Sequence, residues 1–230
     1  MKYDQWMSVA TIEYSRILAL LRDLEDQEWN LPTDCAEWTV RDIVAHLAGA
    51  ASATASVAEQ LRQQRAGKAV QGEKERMEAV NAVQVSERSA LSNAELVASL
   101  EANANRGLAA RKKFPAVMRA LKLPLPAPLG WASFDYLYGA IYTRDAWMHR
   151  IDISQATGRN PELTATHDGA IIRDLVLALP NGKNLSLELS GPAGGRFGAE
   201  AGRVIDAVLY ARALAGRCTV PGVEPHTSLF

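Results

Sequence analysis

The sequence lacks the features that are typical of membrane proteins, secreted proteins and nucleic-acid-binding proteins. No apolar run approaches the roughly 20 residues that a membrane-spanning helix needs. Asp4, Glu13 and Arg16 interrupt the apolar residues near the start, so we do not expect a secretory signal peptide there. The formal net charge is only -1 over 230 residues, with no block of like charge. We therefore predict a cytoplasmic protein that binds neither nucleic acid nor a membrane.

Cysteine is scarce as well. Cys35 and Cys218 lie far apart in the sequence and match no metal-binding or redox motif. In a reducing compartment both are expected to be free thiols. Gly191, Gly194 and Gly195 lack the spacing and the following lysine of a phosphate-binding loop, and no Ser-His-Asp arrangement stands out. Nucleotide-binding loops and serine-hydrolase sites are thus not indicated.

Helical periodicity dominates the first 160 residues. The predicted helices cover residues 4–25, Thr39 to about 64, 73–113 with a restart at Ser92, and Ser133 to Gly158. Capping boxes at Thr39–Asp42 and Ser92–Glu95 support two of these starts. The proline-rich connection over 122–130 is not expected to be helical, because each proline lacks an amide donor. Four long helices with polar caps predict an antiparallel four-helix bundle over 1–160.

The pattern changes after Pro161. Leu185–Ser190 alternates strictly between apolar and polar residues and predicts a half-buried strand. Gly191–Gly195 predicts a turn, and Arg196–Gly198 a partner strand. Asp206–Ala215 predicts a short helix that ends before a glycine. The expected fold class is mainly α, with the bundle followed by a small α/β C-terminal domain over 161–230.

Two polar residues interrupt the apolar stripe of the last bundle helix. Asp145 lies four residues after Ile141, and His149 lies four residues after Asp145, so both side chains leave the same face. That face should point into the bundle, where an unpaired carboxylate would be costly. A metal ion would remove this cost by binding the carboxylate and a neutral imidazole together. The alternative is a hydrogen-bonded core pair, or a bridge to Arg144 or Arg150.

The second helix supplies a third candidate ligand. His46 lies in mid-helix among apolar residues, where a histidine satisfied within the core is the alternative interpretation. If the two helices are neighbours, His46, Asp145 and His149 offer three ligands and leave a fourth position open, as in catalytic metal sites. Zinc or another divalent cation suits this mixed set. Asp42 is a rival carboxylate, but its place in the first helical turn favours a capping role.

Other polar and aromatic residues carry weaker signals. Asp152, three residues after His149, either accepts a hydrogen bond from an imidazole or is an ordinary surface charge. His167 and His226 lie in loop-like stretches and are expected to be solvated. Three tryptophans are expected in the core or along a pocket: Trp38, Trp131 and Trp147.

Two segments resemble the signatures of a known family. Residues 33–49, TDCAEWTVRDIVAHLAG, resemble the first signature of the mycothiol-dependent maleylpyruvate isomerase family, within the DinB-like metalloprotein superfamily. Residues 143–153, TRDAWMHRIDI, resemble the second. The stretch from Leu185 to Arg217 is similar to the family's small C-terminal α/β domain. The resemblance covers nearly the whole chain and implies a DinB-type four-helix bundle.

The resemblance also implies a site and a reaction. It makes His46 a zinc ligand and assigns the acidic ligand and second histidine to Asp145 and His149. The best-known isomerase has glutamate where this chain has the shorter Asp145. An arginine of the C-terminal domain assists catalysis in the family, and Arg217 is the candidate here.

The implied function is thiol chemistry on a small molecule. Mycothiol would be the thiol cosubstrate, and its thiolate would add to an activated double bond of a small, carboxylate-bearing electrophile, in an isomerase or a thiol transferase. A metal-dependent hydrolase and a non-catalytic DinB-like metal-binding protein are the alternatives. Self-association into a homodimer also stays open.

Overall fold

The structure is a computed structural model that describes residues 1–35, 38–198 and 202–230. The helices are α1 (Tyr3–Arg22), α2 (Val40–Ala55), α3 (Val57–Val70), α4 (Arg76–Ser86), α5 (Asn93–Lys113), α6 (Ala116–Arg119), α7 (Phe134–Tyr136), α8 (Tyr142–Ala156), α9 (Asp168–Ala178) and α10 (Ala207–Leu214). The strands are β1 (Lys122–Pro124), β2 (Trp131–Ser133), β3 (Leu187–Ser190), β4 (Gly195–Phe197) and β5 (Arg203–Asp206). None of the helices in these ranges has the length and apolar character that a bilayer crossing requires.

Capping boxes begin two of the long helices, as predicted. At the start of α2 the amide of Thr39 donates to Asp42 Oδ2 over 2.9 Å, and the Thr39 hydroxyl accepts from the amide of Asp42. At the start of α5 the amide of Ser92 donates to Glu95 Oε2 over 2.8 Å. Each box satisfies amides that have no partner within the helix. The capping role of Asp42 is thereby confirmed.

The predicted second helix, from Thr39 to about residue 64, is wrong in its extent. The chain leaves the helical conformation at Ser56, with φ -154° and ψ 126°, and the Ser56 hydroxyl accepts a hydrogen bond from the amide of Glu59 to begin α3. That helix continues past Gly67, which was expected to lie beyond the helix end. A Cβ at Gly67 would lie 2.7 Å from Val80 Cγ2, so this glycine allows α3 and α4 to approach closely.

One compact unit comprises Ala10–Pro115 and His149–Arg159. Four of its helical segments are the larger part of α1, all of α2, all of α5 and the C-terminal half of α8. Contacts join neighbouring segments in a ring: Arg22 with Glu101, Asn103 with Ala48, His46 with His149, and Arg150 with Glu13. This ring of four segments around an apolar core is a four-helix bundle.

Small residues let α2 and α5 pack closely within this unit. A Cβ at Gly107 of α5 would lie 2.4 Å from Thr54 Oγ1 and 2.8 Å from the carbonyl oxygen of Ala51. Buried amides then hold α3 and α4 on α2, since Gln84 Nε2 donates to Gln63 Oε1 and Gln63 Nε2 donates to the carbonyl of Gly49. α2, which carries His46, is therefore fixed on two sides.

The other compact unit comprises Met1–Val9, Ala116–Met148 and Asn160–Phe230. In it, β1 and β2 form an antiparallel hairpin, and a second sheet has the order β4-β3-β5. β3 pairs antiparallel with β4 and parallel with β5. α10 packs on β3, β5 and α9. A π-helical turn, Leu137–Ile141, follows α7 and leads directly into α8.

Most of the C-terminal elements agree with the sequence. The predicted strand over 185–190, its partner and the short helix correspond to β3, β4 and α10, and Gly216 follows α10 with φ +71°. The sequence analysis missed α9, β5 and the hairpin that flanks the proline-rich connection. The two compact units are discontinuous in sequence, and the division into 1–160 and 161–230 stays a prediction.

Candidate metal centre

Two imidazoles lie together inside the bundle unit. His46 of α2 and His149 of α8 are each 4% exposed. Their ring centres are 5.1 Å apart, with the planes at 70°. Two imidazole nitrogens bound to one zinc ion at about 2.1 Å place the ring centres roughly 5 Å apart. The observed separation therefore fits two ligands of a shared cation.

A carboxylate adjoins this pair on α8. Asp145 lies one helical turn before His149 and is half-buried. Ring nitrogens of His46 and His149 lie within 4.8 Å of each other. Two imidazoles and a carboxylate are a donor set suited to zinc and to several other divalent cations.

Asp152 controls the orientation of His149. Asp152 Oδ2 lies 3.0 Å from His149 Nδ1, and the carboxylate is fully buried. An ionised carboxylate only accepts hydrogen bonds, so this contact favours the tautomer with the proton on Nδ1, in which Nε2 has the lone pair that a metal needs. The interpretation of Asp152 as an ordinary surface charge is wrong.

Both arginines that were considered as partners of Asp145 bind other carboxylates. In the bundle unit, Arg150 Nε donates to Glu13 Oε1 over 2.6 Å, and Nη2 donates to Oε2 over 3.3 Å. In the other unit, Arg144 Nη2 donates to Asp174 Oδ2 and to the hydroxyl of Tyr136. A bridge from an arginine to Asp145 stays the alternative to a metal site.

An aromatic side chain covers the two imidazoles. The ring centre of Trp38 lies 5.0 Å from that of His46 and 5.8 Å from that of His149. Trp38 is held by Thr33, whose hydroxyl donates to the Trp38 carbonyl over 2.8 Å. The expectation that Trp38 lines a core or pocket is confirmed.

Cys35 is a residue of this region that the sequence analysis did not connect with it. It is a half-buried free thiol, and its sulfur lies within 4.8 Å of a His149 ring nitrogen and of an Asp152 carboxylate oxygen. The sequence did contain one indication of this placement, since Cys35 lies three residues before Trp38, ahead of α2.

The expected burial or exposure of the other tryptophans and histidines is confirmed for some and wrong for others. Trp147 is buried, and its Nε1 donates to Asp168 Oδ1 over 2.9 Å, whereas Trp131 at the hairpin is 70% exposed. His167 was expected to be solvated but is buried, because it directly precedes α9, which the sequence analysis missed. His226 is half-buried, and its amide donates to the carbonyl of Leu214. Cys218 is a free thiol, as expected.

Arg217 lies in the unit that contains the three-stranded sheet. It is half-buried, and its Nη1 donates to the carbonyl of Ala215 over 3.3 Å. The amide of Arg217 donates to the carbonyl of Arg212, closing the end of α10. Its catalytic role stays a prediction.

Comparison with known proteins adds family and fold information. The family model described as mycothiol maleylpyruvate isomerase N-terminal domain matches residues 11–154. Two solved structures resemble the fold of this chain: the crystal structure of a mycothiol-dependent maleylpyruvate isomerase, with a TM-score of 0.64, and that of its histidine-to-alanine mutant, with a TM-score of 0.63. Each solved chain is 18% identical in sequence to this one, and the match covers 95% of this chain and 90% of the solved chain. No match is found among curated proteins. The predicted mainly α fold with a small α/β part is confirmed.

Proposed function

Since the family model matches residues 11–154, the chain belongs to the mycothiol maleylpyruvate isomerase N-terminal domain family, and from this premise we propose that it is a metal-dependent enzyme that uses mycothiol. The substrate we propose is a small, carboxylate-bearing molecule with an activated double bond. The observation that carries the proposal is the buried imidazole pair, 5.1 Å apart, with Asp145 one turn before His149.

We assign His46, Asp145 and His149 as ligands of one divalent cation, with zinc as the first candidate. Such a cation stabilises the thiolate of a bound thiol and so provides a nucleophile at neutral pH. Two neutral imidazoles and one carboxylate leave a net charge of +1 at the site, which favours an anionic thiolate in the open position.

The surrounding residues prepare this site before a thiol arrives. Asp152 holds the Nδ1 proton of His149, which aims Nε2 at the cation. Trp38 lies against both imidazoles and limits their rotation. The burial of His46 and His149 restricts water around the ligands, which strengthens their electrostatic interactions.

The proposed reaction needs no net proton transfer. The mycothiol thiolate adds to the activated double bond, and its electron pair moves the π electrons towards the conjugated carbonyl. Rotation about the resulting single bond follows. The electrons then return, re-form the double bond in the other geometry and expel the thiolate. If the adduct is kept instead, the enolate carbon takes one proton from solvent, and the product is a thioether of mycothiol.

We assign Arg217 the role of binding the substrate's carboxylate. A guanidinium forms paired, charge-assisted hydrogen bonds with a carboxylate, and a lysine cannot reproduce their geometry. In the Arg217→Lys variant we expect KM to rise more than kcat falls, because the lost contact serves mainly to hold the substrate. An unchanged KM would remove Arg217 from this role.

The test is a thiol titration of the cobalt-substituted protein. Cys35→Ser is the background, so that the nearby protein thiol contributes no sulfur signal. Addition of mycothiol should produce a saturable sulfur-to-cobalt charge-transfer band, which the additional His46→Ala substitution should remove. Cobalt that stays bound without a thiol response would count against this mechanism and favour the metal-dependent hydrolase or the non-catalytic alternative.

A further inference from the structure

A second set of ligand-type side chains lies within the bundle unit, on the Asp152 side of His149. The sulfur of Cys35, a ring nitrogen of His149 and a carboxylate oxygen of Asp152 lie within 4.8 Å of one another. The imidazole and the carboxylate are buried, whereas the thiol is half-buried. The cluster thus combines two sequestered ligands with a thiol that solvent can reach.

We propose that Cys35, His149 and Asp152 form a second cation site, which binds a thiophilic divalent cation such as cadmium or zinc. A thiolate is a soft ligand, so this set discriminates against magnesium and calcium, which prefer oxygen ligands. The inference does not rest on the proposed function, because the new site uses neither His46 nor Asp145.

The geometry of the His149–Asp152 pair supports this site. His149 Nδ1 and Asp152 Oδ2 are 3.0 Å apart. Two donors that bind one cation at roughly 2.0–2.2 Å can lie about 3 Å from each other. A cation bound to both atoms would lie beside the line that joins them, so the imidazole and the carboxylate turn towards it as the shared proton is displaced. That proton and the thiol proton of Cys35 leave to solvent.

The charges also favour the cluster. A thiolate and a carboxylate together carry two negative charges, which a divalent cation neutralises. A neutral assembly can stay buried, whereas an isolated charge there would be costly.

The loop that carries Cys35 restrains the thiol. The amide of Cys35 donates to Thr33 Oγ1 over 3.2 Å, and its carbonyl accepts from the amide of Trp38 over 3.0 Å. These bonds fix the backbone of Cys35 on both sides, so less conformational freedom is lost when a cation binds.

Sharing His149 makes the two sites alternatives. A neutral imidazole has one nitrogen lone pair available to a metal, so a cation at Nδ1 excludes a cation at Nε2. A thiophilic cation held by Cys35 and Asp152 therefore withdraws His149 from His46, and each chain binds one cation in total.

Cadmium titration of the metal-free protein tests this site. In the His46→Ala variant, one cadmium per chain should bind and produce a sulfur-to-cadmium absorption band. Adding Cys35→Ser should remove the band and weaken binding by ~10-fold or more. Cys218→Ser is the matched control and should leave both unchanged. Asp152→Asn, which keeps the side-chain shape, should also weaken binding, and circular dichroism checks that each variant is folded.

Three results would overturn the inference: no sulfur band in His46→Ala, a band that depends on Cys218, or two cadmium ions per wild-type chain. Failure of the proposed function is seen separately. In the Cys35→Ser background, it would appear as bound cobalt that gives no response to mycothiol, or as a response that the His46→Ala substitution does not remove.

Discussion

The two arginines that flank the Asp145–His149 pair on α8 are both buried, yet their charges are balanced in different ways. In the bundle unit, Arg150 meets the fully buried carboxylate of Glu13 through two hydrogen bonds. In the other unit, Arg144 meets Asp174, whose side chain is 18% exposed. The Arg144 guanidinium also donates to the Tyr136 hydroxyl and to the carbonyls of Asp174 and Leu229.

This difference predicts how the stability of each unit responds when a partner of its buried arginine is removed. In the first arrangement the carboxylate that meets the buried guanidinium is itself fully buried. In the second the carboxylate is partly solvated, and a hydroxyl and two carbonyls accept from the same guanidinium. Removing a single partner should therefore be costly in the bundle and milder in the other unit.

The largest expected effect is on the bundle. Glu13→Ala leaves the Arg150 guanidinium buried without its carboxylate, and we expect a loss of about 3–5 kcal/mol in the free energy of unfolding. Urea unfolding followed by circular dichroism measures it. The double variant Glu13→Leu with Arg150→Met should regain most of the loss, because no charge is left buried. A loss below about 1 kcal/mol in Glu13→Ala would contradict the expectation that the buried pair is the more sensitive of the two.

A smaller loss is expected when the matching carboxylate of the other unit is neutralised. Asp174→Asn leaves Arg144 with the Tyr136 hydroxyl and two carbonyl acceptors, so we expect a cost of about 1–3 kcal/mol. The same unfolding experiment measures it. A cost equal to that of Glu13→Ala would show that the additional acceptors contribute little.

Two glycines, one in each unit, compare how tightly the two units are packed. Gly107→Ala would press a methyl group against a backbone carbonyl at 2.8 Å, and we expect a destabilisation of about 1–3 kcal/mol. At Gly139 the nearest atom is Trp6 Cδ1, at 3.2 Å, so an added methyl group would meet a less severe clash. Gly139→Ala should therefore cost less than Gly107→Ala. The midpoints of thermal unfolding compare the two, and the reverse order would contradict this account of close helix packing.

The smallest effect concerns alkaline pH. Burial raises the pKa of Tyr136 to about 12, from the ordinary value of 10.0. The raised pKa favours the neutral hydroxyl in the folded state, so its stabilising contribution is complete below pH 10 and is lost as the pH rises towards 12. We expect a decline of about 1–2 kcal/mol over this range, and a flatter profile for Tyr136→Phe. Identical slopes would exclude this tyrosine as the cause.

Local signals in the sequence predicted the bundle well. The boxes at Thr39 and Ser92 mark helix starts whatever lies around them, and the four-residue spacing of Asp145 and His149 places both on one helical face. The break at Ser56 has the same kind of local signal, because Glu59 follows Ser56 by three residues and its amide donates to the Ser56 hydroxyl. The prediction of one long helix overlooked this cap.

The remaining differences depend on tertiary contacts, which a local sequence pattern does not contain. Burial of His167 depends on α9, and the exposure of Trp131 depends on a hairpin around a proline-rich connection that carries little strand signal. Cys35 lies within the first motif, but only the fold brings its sulfur near His149 and Asp152. The structure thus adds the surroundings of the candidate ligands more than their identity.

The most direct test of the proposed metal centre is the metal content of matched variants. In the Cys35→Ser background, elemental analysis should find one zinc or other divalent ion per chain, and the His46→Ala substitution should lower it by at least ~10-fold with the helical circular dichroism unchanged. Stoichiometric metal retained after His46→Ala would contradict the shared site at His46, Asp145 and His149.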